Sequence, residues 1–178
     1  MIITVSGPPG SGTTTASRAL APVFDMDHVS SGDVFRSLAK EHGVSLGEFN
    51  QIAEEDPEID KEIDLRQKEI GRERDNIILE GRLSGWMVED ADLKVWLKAP
   101  FDERVRRVSD REEVDTETAR EELRQREESE AKRYEEIHGI DISDLSVYDI
   151  VIDTSKWNAE NVTEIIATAA RRLDEEDS

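Results

Sequence analysis

The sequence contains no cysteine, which excludes disulfides and thiolate metal centres and leaves the redox compartment unread. It has no apolar run of bilayer length. No basic, apolar leader stands before its first strand-like segment, so neither secretion nor a membrane is expected, and the cytoplasm is. Basic charge is scarce as well. Asp and Glu number 43 against 23 Lys and Arg, a formal net charge of −20. Such a surface repels polynucleotide phosphates, so no nucleic-acid polymer is expected as a partner. Lysine is the scarcer basic residue, 7 against 16 arginines. Carboxylate in excess along the whole chain, with so few lysines, fits a high-salt cytoplasm in which screening confines repulsion to a few ångströms. A disordered acidic chain is the alternative, and the periodic apolar segments oppose it. The 178 residues suit one domain, taken as a monomer.

One more lysine is missing from a place that calls for it. A β-branched run over 2–6 meets Gly7-Pro8-Pro9-Gly10-Ser11-Gly12-Thr13-Thr14-Thr15 and then a helix. That is the form of a phosphate-binding loop, whose backbone N–H groups point inward at phosphate oxygens and are backed by a helix dipole. The pattern asks for Lys after the last Gly, and Thr13 stands there. Thr14 keeps the hydroxyl that would sit on Mg²⁺. The plainer alternative is a strand-to-helix turn that binds nothing. Six small residues between a strand and an amphipathic helix weigh against it.

Further along, a helix from Thr13 to about Val23 carries Ala16, Ala19, Leu20 and Val23 on one face. His28–Ser30, Asn76–Glu80, Leu93–Leu97 and Val147–Asp153 read as four more strands. Ser31-Gly32 opens a helix with Val34, Phe35 and Leu38. Residues 44–71 are helical with a break at Asp56-Pro57. A helix follows Pro100 to about Val108, a Glu/Arg-rich one spans Thr116–His138, and a last one Ala159–Leu173 carries Val162, Ile165, Ile166 and Ala169. Strands alternating with helices predict an α/β fold, a parallel sheet covered on both faces with ligands at the strands' carboxyl ends. Residues 40–71 and 110–140 are polar, poor in apolar residues, and look like insertions that close over a site. The tail 174–178 is expected to fray.

Besides the loop after residues 2–6, two more strand ends carry chemistry. Ser31-Gly32-Asp33-x-x-Arg36 presents a carboxylate near a helix start and a guanidinium one turn on, able to grip phosphate in bidentate fashion. Glu80-Gly81-Arg82 ends a buried strand with an acid placed to hold Mg²⁺ or its water and an Arg for a second phosphate. Arg107 and Arg111 share a helix face. So do Arg126, Glu130 and Arg133, although spacing alone favours ordinary surface pairs there.

These segments, in this order, resemble the nucleoside monophosphate kinases, and most closely the archaeal branch of the cytidylate kinases. Ser31-Gly32-Asp33-x-x-Arg36 is similar to an adenylate kinase segment. Leu79-Glu80-Gly81-Arg82 and Arg126-Glu127-x-x-Glu130-x-x-Arg133 are similar to the cytidylate kinase strand end and lid. The loop with Thr13 for Lys is similar to the archaeal form. The resemblance implies a P-loop kinase fold with a five-stranded parallel sheet. Its core would comprise 1–36, 73–109 and 141–173, with an NMP-binding insertion at about 37–72 and a lid at about 110–140. It implies ATP as donor, CMP or dCMP as acceptor, and Mg²⁺ at Thr14, Asp33 and Glu80. Gly7–Thr15 with Arg107 and Arg111 would hold ATP. Arg36, Arg82, Arg126 and Arg133 would surround the transferring phosphoryl group, with Ser31, Asp33 and Glu130 on the acceptor side. Bacterial cytidylate kinases carry a cytosine-reading Asp where this chain has Leu83, so the reading of the base is open. Two other functions stay open with it: a kinase for AMP or UMP, and a nucleotide-binding switch without catalysis.

Overall fold

The computed structural model describes residues 1–176, and their side chains outside 46–47, 50, 54–55 and 174–176. The elements run β1 Ile2–Ser6, α1 Thr13–Phe24, β2 Asp27–Ser30, α2 Ser31–Glu41, α3 Leu46–Glu55, α4 Glu58–Glu73 and β3 Ile77–Glu80. They continue with α5 Ser84–Met87, β4 Leu93–Lys98, α6 Phe101–Glu112, α7 Thr116–His138, β5 Ile150–Asp153 and α8 Ala159–Glu176. The five strands form one parallel sheet in the order β2-β3-β1-β4-β5. β1 is therefore central, and the loop that leaves it emerges at the middle of the carboxyl edge. Ser30, Glu80 and Ser6 end neighbouring strands there.

Helices on both faces explain why the strands read as continuous apolar runs. On one face Ile3, Val5, Ile78, Val95 and Leu97 pack with Leu20 of α1 and with Val162, Ile166 and Ala170 of α8. On the other, Ile77 and Leu79 pack with Val88 and Ile70. Leu20 is fully buried, so truncation to Ala would cost about 2–5 kcal/mol.

Several boundaries and faces differ from the sequence expectation. Ala19 and Val23 of α1 face solvent, and Ser17 joins Ala16 and Leu20 inside instead. β3 starts at Ile77 because Asn76 takes a left-handed φ of 61° and donates its amide to the Asp25 carbonyl. β5 starts at Ile150, three residues late. A turn ending at Tyr148 delivers that ring against Trp96, with centroids 5.0 Å apart. Gly85 in α5, a helix the sequence did not announce, leaves room for it: a Cβ there would lie 2.3 Å from the tyrosine ring. α6 extends to Glu112, and α8 to Glu176 instead of ending at Leu173. The remaining two residues of the tail expected to fray, 177–178, lie outside the described residues. The segment over 40–71 is less poor in apolar contacts than expected. Phe49 is fully buried, with Val34, Leu38, Ala39 and Ile59 around it in a small core of its own.

Candidate active site

The loop between β1 and α1 is held from behind, atom by atom. Gly10 and Gly12 take φ of 79° and 99°, a region costly to any residue with a Cβ. Gly7 has no space for one, since a Cβ would meet the Leu97 carbonyl at 2.3 Å. Each carbonyl from Gly7 to Gly12 accepts a hydrogen bond. Arg82 donates to Gly7 at 2.9 Å, Ser11 N to Pro8 at 3.1 Å and Arg104 to Pro9 at 3.2 Å. Arg107 donates to Gly10 at 3.2 Å, the Thr154 hydroxyl to Ser11 at 2.8 Å and Ala16 N to Gly12 at 3.0 Å. With the carbonyls pinned outward, the amides that open α1 are left to face an anion. Arg104 is buried, paired with Glu127 of α7 and stacked on Phe101.

A cavity of about 570 Å³ opens on this loop, and five arginines line it: Arg18, Arg82, Arg107, Arg111 and Arg126. Its floor carries two oxygen donors, because the Thr14 hydroxyl donates to Glu80 at 2.6 Å. Thr13 spends its hydroxyl on the same carboxylate at 3.0 Å, and His28 meets the other oxygen at 3.0 Å. Burial opposes the Glu80 charge. Hydrogen bonds with His28, Thr14 and Thr13 outweigh it and hold the carboxyl below its usual range. An ionised carboxylate beside a hydroxyl is a hard-oxygen pair that suits Mg²⁺, which takes few protein ligands and completes its shell with waters and phosphate. Asp33, also expected as a ligand, sits elsewhere. It closes a capping box on Ser30 and pairs with Arg36 at the start of α2. Burial raises its carboxyl, and the hydrogen bonds from Ser30 and Arg36 with the Arg36 charge together outweigh it and bring it down to about 2. Asp33 thus caps α2 and lines neither this cavity nor the one beneath α4 and α7. A second, smaller cavity of about 260 Å³ adjoins the loop between Arg107, Thr154 and Trp157. Trp157 is half exposed there.

A third cavity, about 470 Å³, lies beneath α4 and α7 and shares Ser31, Arg82 and Arg126 with the first. Buried Glu130 stands at the junction. One oxygen accepts from Arg82 Nε at 2.6 Å and the other from Arg126 Nε at 2.8 Å. The desolvation that would neutralise Glu130 is outweighed by the charges of Arg82 and Arg126, so its pKa lies below the usual range. Glu130, expected on the acceptor side, lines this cavity and holds two guanidiniums with its two oxygens. On the far wall Arg133 lies 2.8 Å from Asp60, and His138 is 2.8 Å from Asp64. Burial raises both Asp60 and Asp64, the latter to about 6 against the pull of His138. Gln67, fully buried beside them, donates to the Glu80 carbonyl at 2.9 Å.

The structure therefore gathers Gly7–Gly10, Gly12–Thr15, Glu80, Arg82, Arg107, Arg111 and Arg126 around one cavity, with Ser11 on the small one, and Ser31, Arg82, Arg126, Glu130 and Arg133 around the next. Arg36 lines neither; it is half exposed, with its guanidinium over Gly32 at the rim. Sequence reading missed Arg18, His28, Asp60, Asp64, Gln67, Arg104, Thr154 and Trp157. Only the i,i+4 spacing of Asp60 and Asp64 gave a signal, and it has meaning only once α4 is known to face the site.

A sequence model of the cytidylate kinase-like family matches residues 2–156. The "Cytidylate kinase" of Methanococcoides burtonii is 54% identical over 169 residues, covering 95% of this chain and 96% of that one. The "Cytidylate kinase" of Methanocaldococcus jannaschii is 48% identical over 177 residues, covering 97% and 99%. That of Halobacterium salinarum is 48% identical over 170 residues, covering 95% and 88%. Among solved structures, an uncharacterized protein from Eubacterium ventriosum superposes with a TM-score of 0.73 at 19% identity, covering 95% and 97%. Shikimate kinase from Bacteroides thetaiotaomicron gives 0.66 at 15%, covering 96% and 98%; these two likenesses bear on the fold alone. The matched family model and the near full-length relatives agree: this chain belongs to the cytidylate kinase-like family.

Proposed function

We propose that this chain transfers the γ-phosphoryl group of ATP to CMP, and to dCMP, giving ADP and the nucleoside diphosphate. The observation that carries this reading is the meeting of two cavities at Arg82 and Arg126, aimed by one buried carboxylate. A phosphoryl group passing between two anions needs positive charge fixed at that junction.

In this reading the ATP phosphates lie in the Gly7–Thr15 loop, with Arg107 and Arg111 beside them and the adenine in the small cavity against Trp157. CMP enters the cavity below α4 and α7. Its phosphate meets Arg82, Arg126 and Arg133, and Ser31 borders both ligands. Arg36 swings inward from the rim, giving up an exposed ion pair worth at most about 1 kcal/mol. An acceptor phosphate oxygen bonds to the γ-phosphorus as the bond to the β–γ bridging oxygen breaks. The electron pair leaves on ADP, and no base is required. Thr14 and Glu80 would hold Mg²⁺, which when bound neutralises charge on the donor phosphates. Cytosine presents an amino donor that carboxylates accept. Leu83 is buried in apolar contacts, so Asp60 and Asp64 of α4 are the carboxylates on hand. Segments 37–72 and 110–140 act as an acceptor-binding insertion and a lid that exclude water on closing.

Initial rates of ADP formation with CMP, dCMP, UMP, AMP and GMP test the assignment. CMP and dCMP are expected to lead in kcat/KM, and AMP ahead of CMP would overturn it. Among the described residues no helix is long and apolar enough to cross a membrane, and we place the protein in the cytoplasm as a monomer. The net charge of −20 favours a high-salt interior. The Tm is expected to rise steeply between about 0.1 and 2 M KCl, as the Debye length contracts to a few ångströms; a flat Tm would remove that reading.

A further inference from the structure

The consensus loop lysine brings a mobile cation to the donor phosphates, and Thr13 removes it. The arginines around the cavity can be sorted by what already engages them. Arg82 is held by Glu130 and the Gly7 carbonyl, and Arg126 by Glu130. Arg107 is held by Glu103, Gly10 and Thr154, and Arg111 by Glu112. Arg18 differs: among the described residues no carboxylate pairs with it, in a chain with 43 of them. Its own helix offers none, since its neighbours one turn away are Thr14, Thr15, Ala21 and Pro22. Helical side chains lean toward the N-terminus. Arg18 therefore lies over the turn that contains Thr14 and Thr15, and it lines the cavity with them.

We propose that Arg18 is the catalytic cation that replaces the missing loop lysine, reaching the β- and γ-phosphates of ATP from the second turn of α1. This rests on the ATP:CMP reading above and adds to it the group that meets developing charge on the bridging oxygen. An unpaired, solvated guanidinium is free to follow the phosphates as the site closes. The other arginines of the cavity already spend donors on a carboxylate or a backbone carbonyl.

The test compares the unaltered chain with Arg18→Ala, Arg18→Lys and Thr13→Lys in the Arg18→Ala background. Readouts are ADP formation from ATP and CMP, and calorimetric binding of inorganic tripolyphosphate. Arg18→Ala is expected to lower kcat/KM for ATP about a hundredfold, the scale of one lost transition-state donor, with KM for CMP within about threefold. Tripolyphosphate binding should weaken about tenfold, or about 1.4 kcal/mol, and Tm should stay put. Arg18→Lys should retain most of the activity, and the added Lys at 13 should recover at least about tenfold. A kcat/KM for ATP within threefold of the unaltered chain, or equal losses toward both substrates with a lowered Tm, overturns the role of Arg18. No ADP formation by the unaltered chain overturns the underlying reading and this one with it.

Discussion

The two large cavities are built by different means. The donor cavity is built around one contiguous backbone loop whose carbonyls are pinned outward by Arg82, Arg104, Arg107 and Thr154. The acceptor cavity is made of side chains from stretches near 31, 60, 82 and 130, and on its far wall charges neutralise one another through Arg133–Asp60 and His138–Asp64. The first is preorganised before any ligand arrives, which is what electrostatic stabilisation demands. The second holds its charges in ion pairs that an incoming phosphate and base must rearrange. On the function proposed above, stability and recognition are divided: the loop is rigid for a phosphate chain common to many reactions, while the adaptable wall selects the acceptor.

Substitutions that respect or cross this division should separate cleanly. The largest effect is expected at Arg82, which belongs to both cavities. Arg82→Ala removes the donor to Gly7 and leaves buried Glu130 short of a partner, so kcat should fall about a thousandfold with KM raised for both nucleotides. A rise confined to one nucleotide would show that the cavities do not meet there. Next comes Gly10→Ala. A left-handed φ costs a non-glycine residue about 1–2 kcal/mol, and the new Cβ would stand 2.8 Å from the Arg104 carbonyl. KM for ATP should rise at least about tenfold while KM for CMP holds; matching rises would refute the separation.

Smaller, and confined to the acceptor side, is the pH response of Asp64. Its folded pKa is raised from 3.8 to about 6, so the folded state binds the proton more tightly than the unfolded one. The stability this contributes is complete below pH about 3.8 and lost as pH rises through about 6. Asn cannot ionise, so the Tm of the unaltered protein minus that of Asp64→Asn should fall by a few degrees between pH 4 and 7. A constant or rising difference would contradict the burial argument.

The same division decides what could be read from the sequence. Gly7–Thr15 was legible because backbone binding needs small residues in an unbroken run, and Glu80-Gly81-Arg82 because it ends an apolar strand. Asp33 was expected as a ligand, and its capping role went unread. The spacing Ser30-x-x-Asp33 is that of a capping box, and the structure spends the carboxylate on it. Asp60, Asp64 and Gln67 had no legible role, since only the packing of α4 over the edge of β3 brings them to the cavity. Arg104 resembled any other charge on α6, and its burial depends on Glu127 arriving from α7. The late start of β5 was hidden too, because Tyr148 fits a strand pattern while it fills the space above Gly85.

The central claim is that Arg126, aimed by Glu130, stabilises the phosphoryl group in flight. Rapid-quench single-turnover transfer from ATP to CMP, with both saturating, tests it most directly. Arg126 is half exposed, so Arg126→Ala should keep its stability within about 1 kcal/mol, while the transfer rate falls at least about a hundredfold. An unaltered rate would return Arg126 to an ordinary helix surface pair and contradict the account.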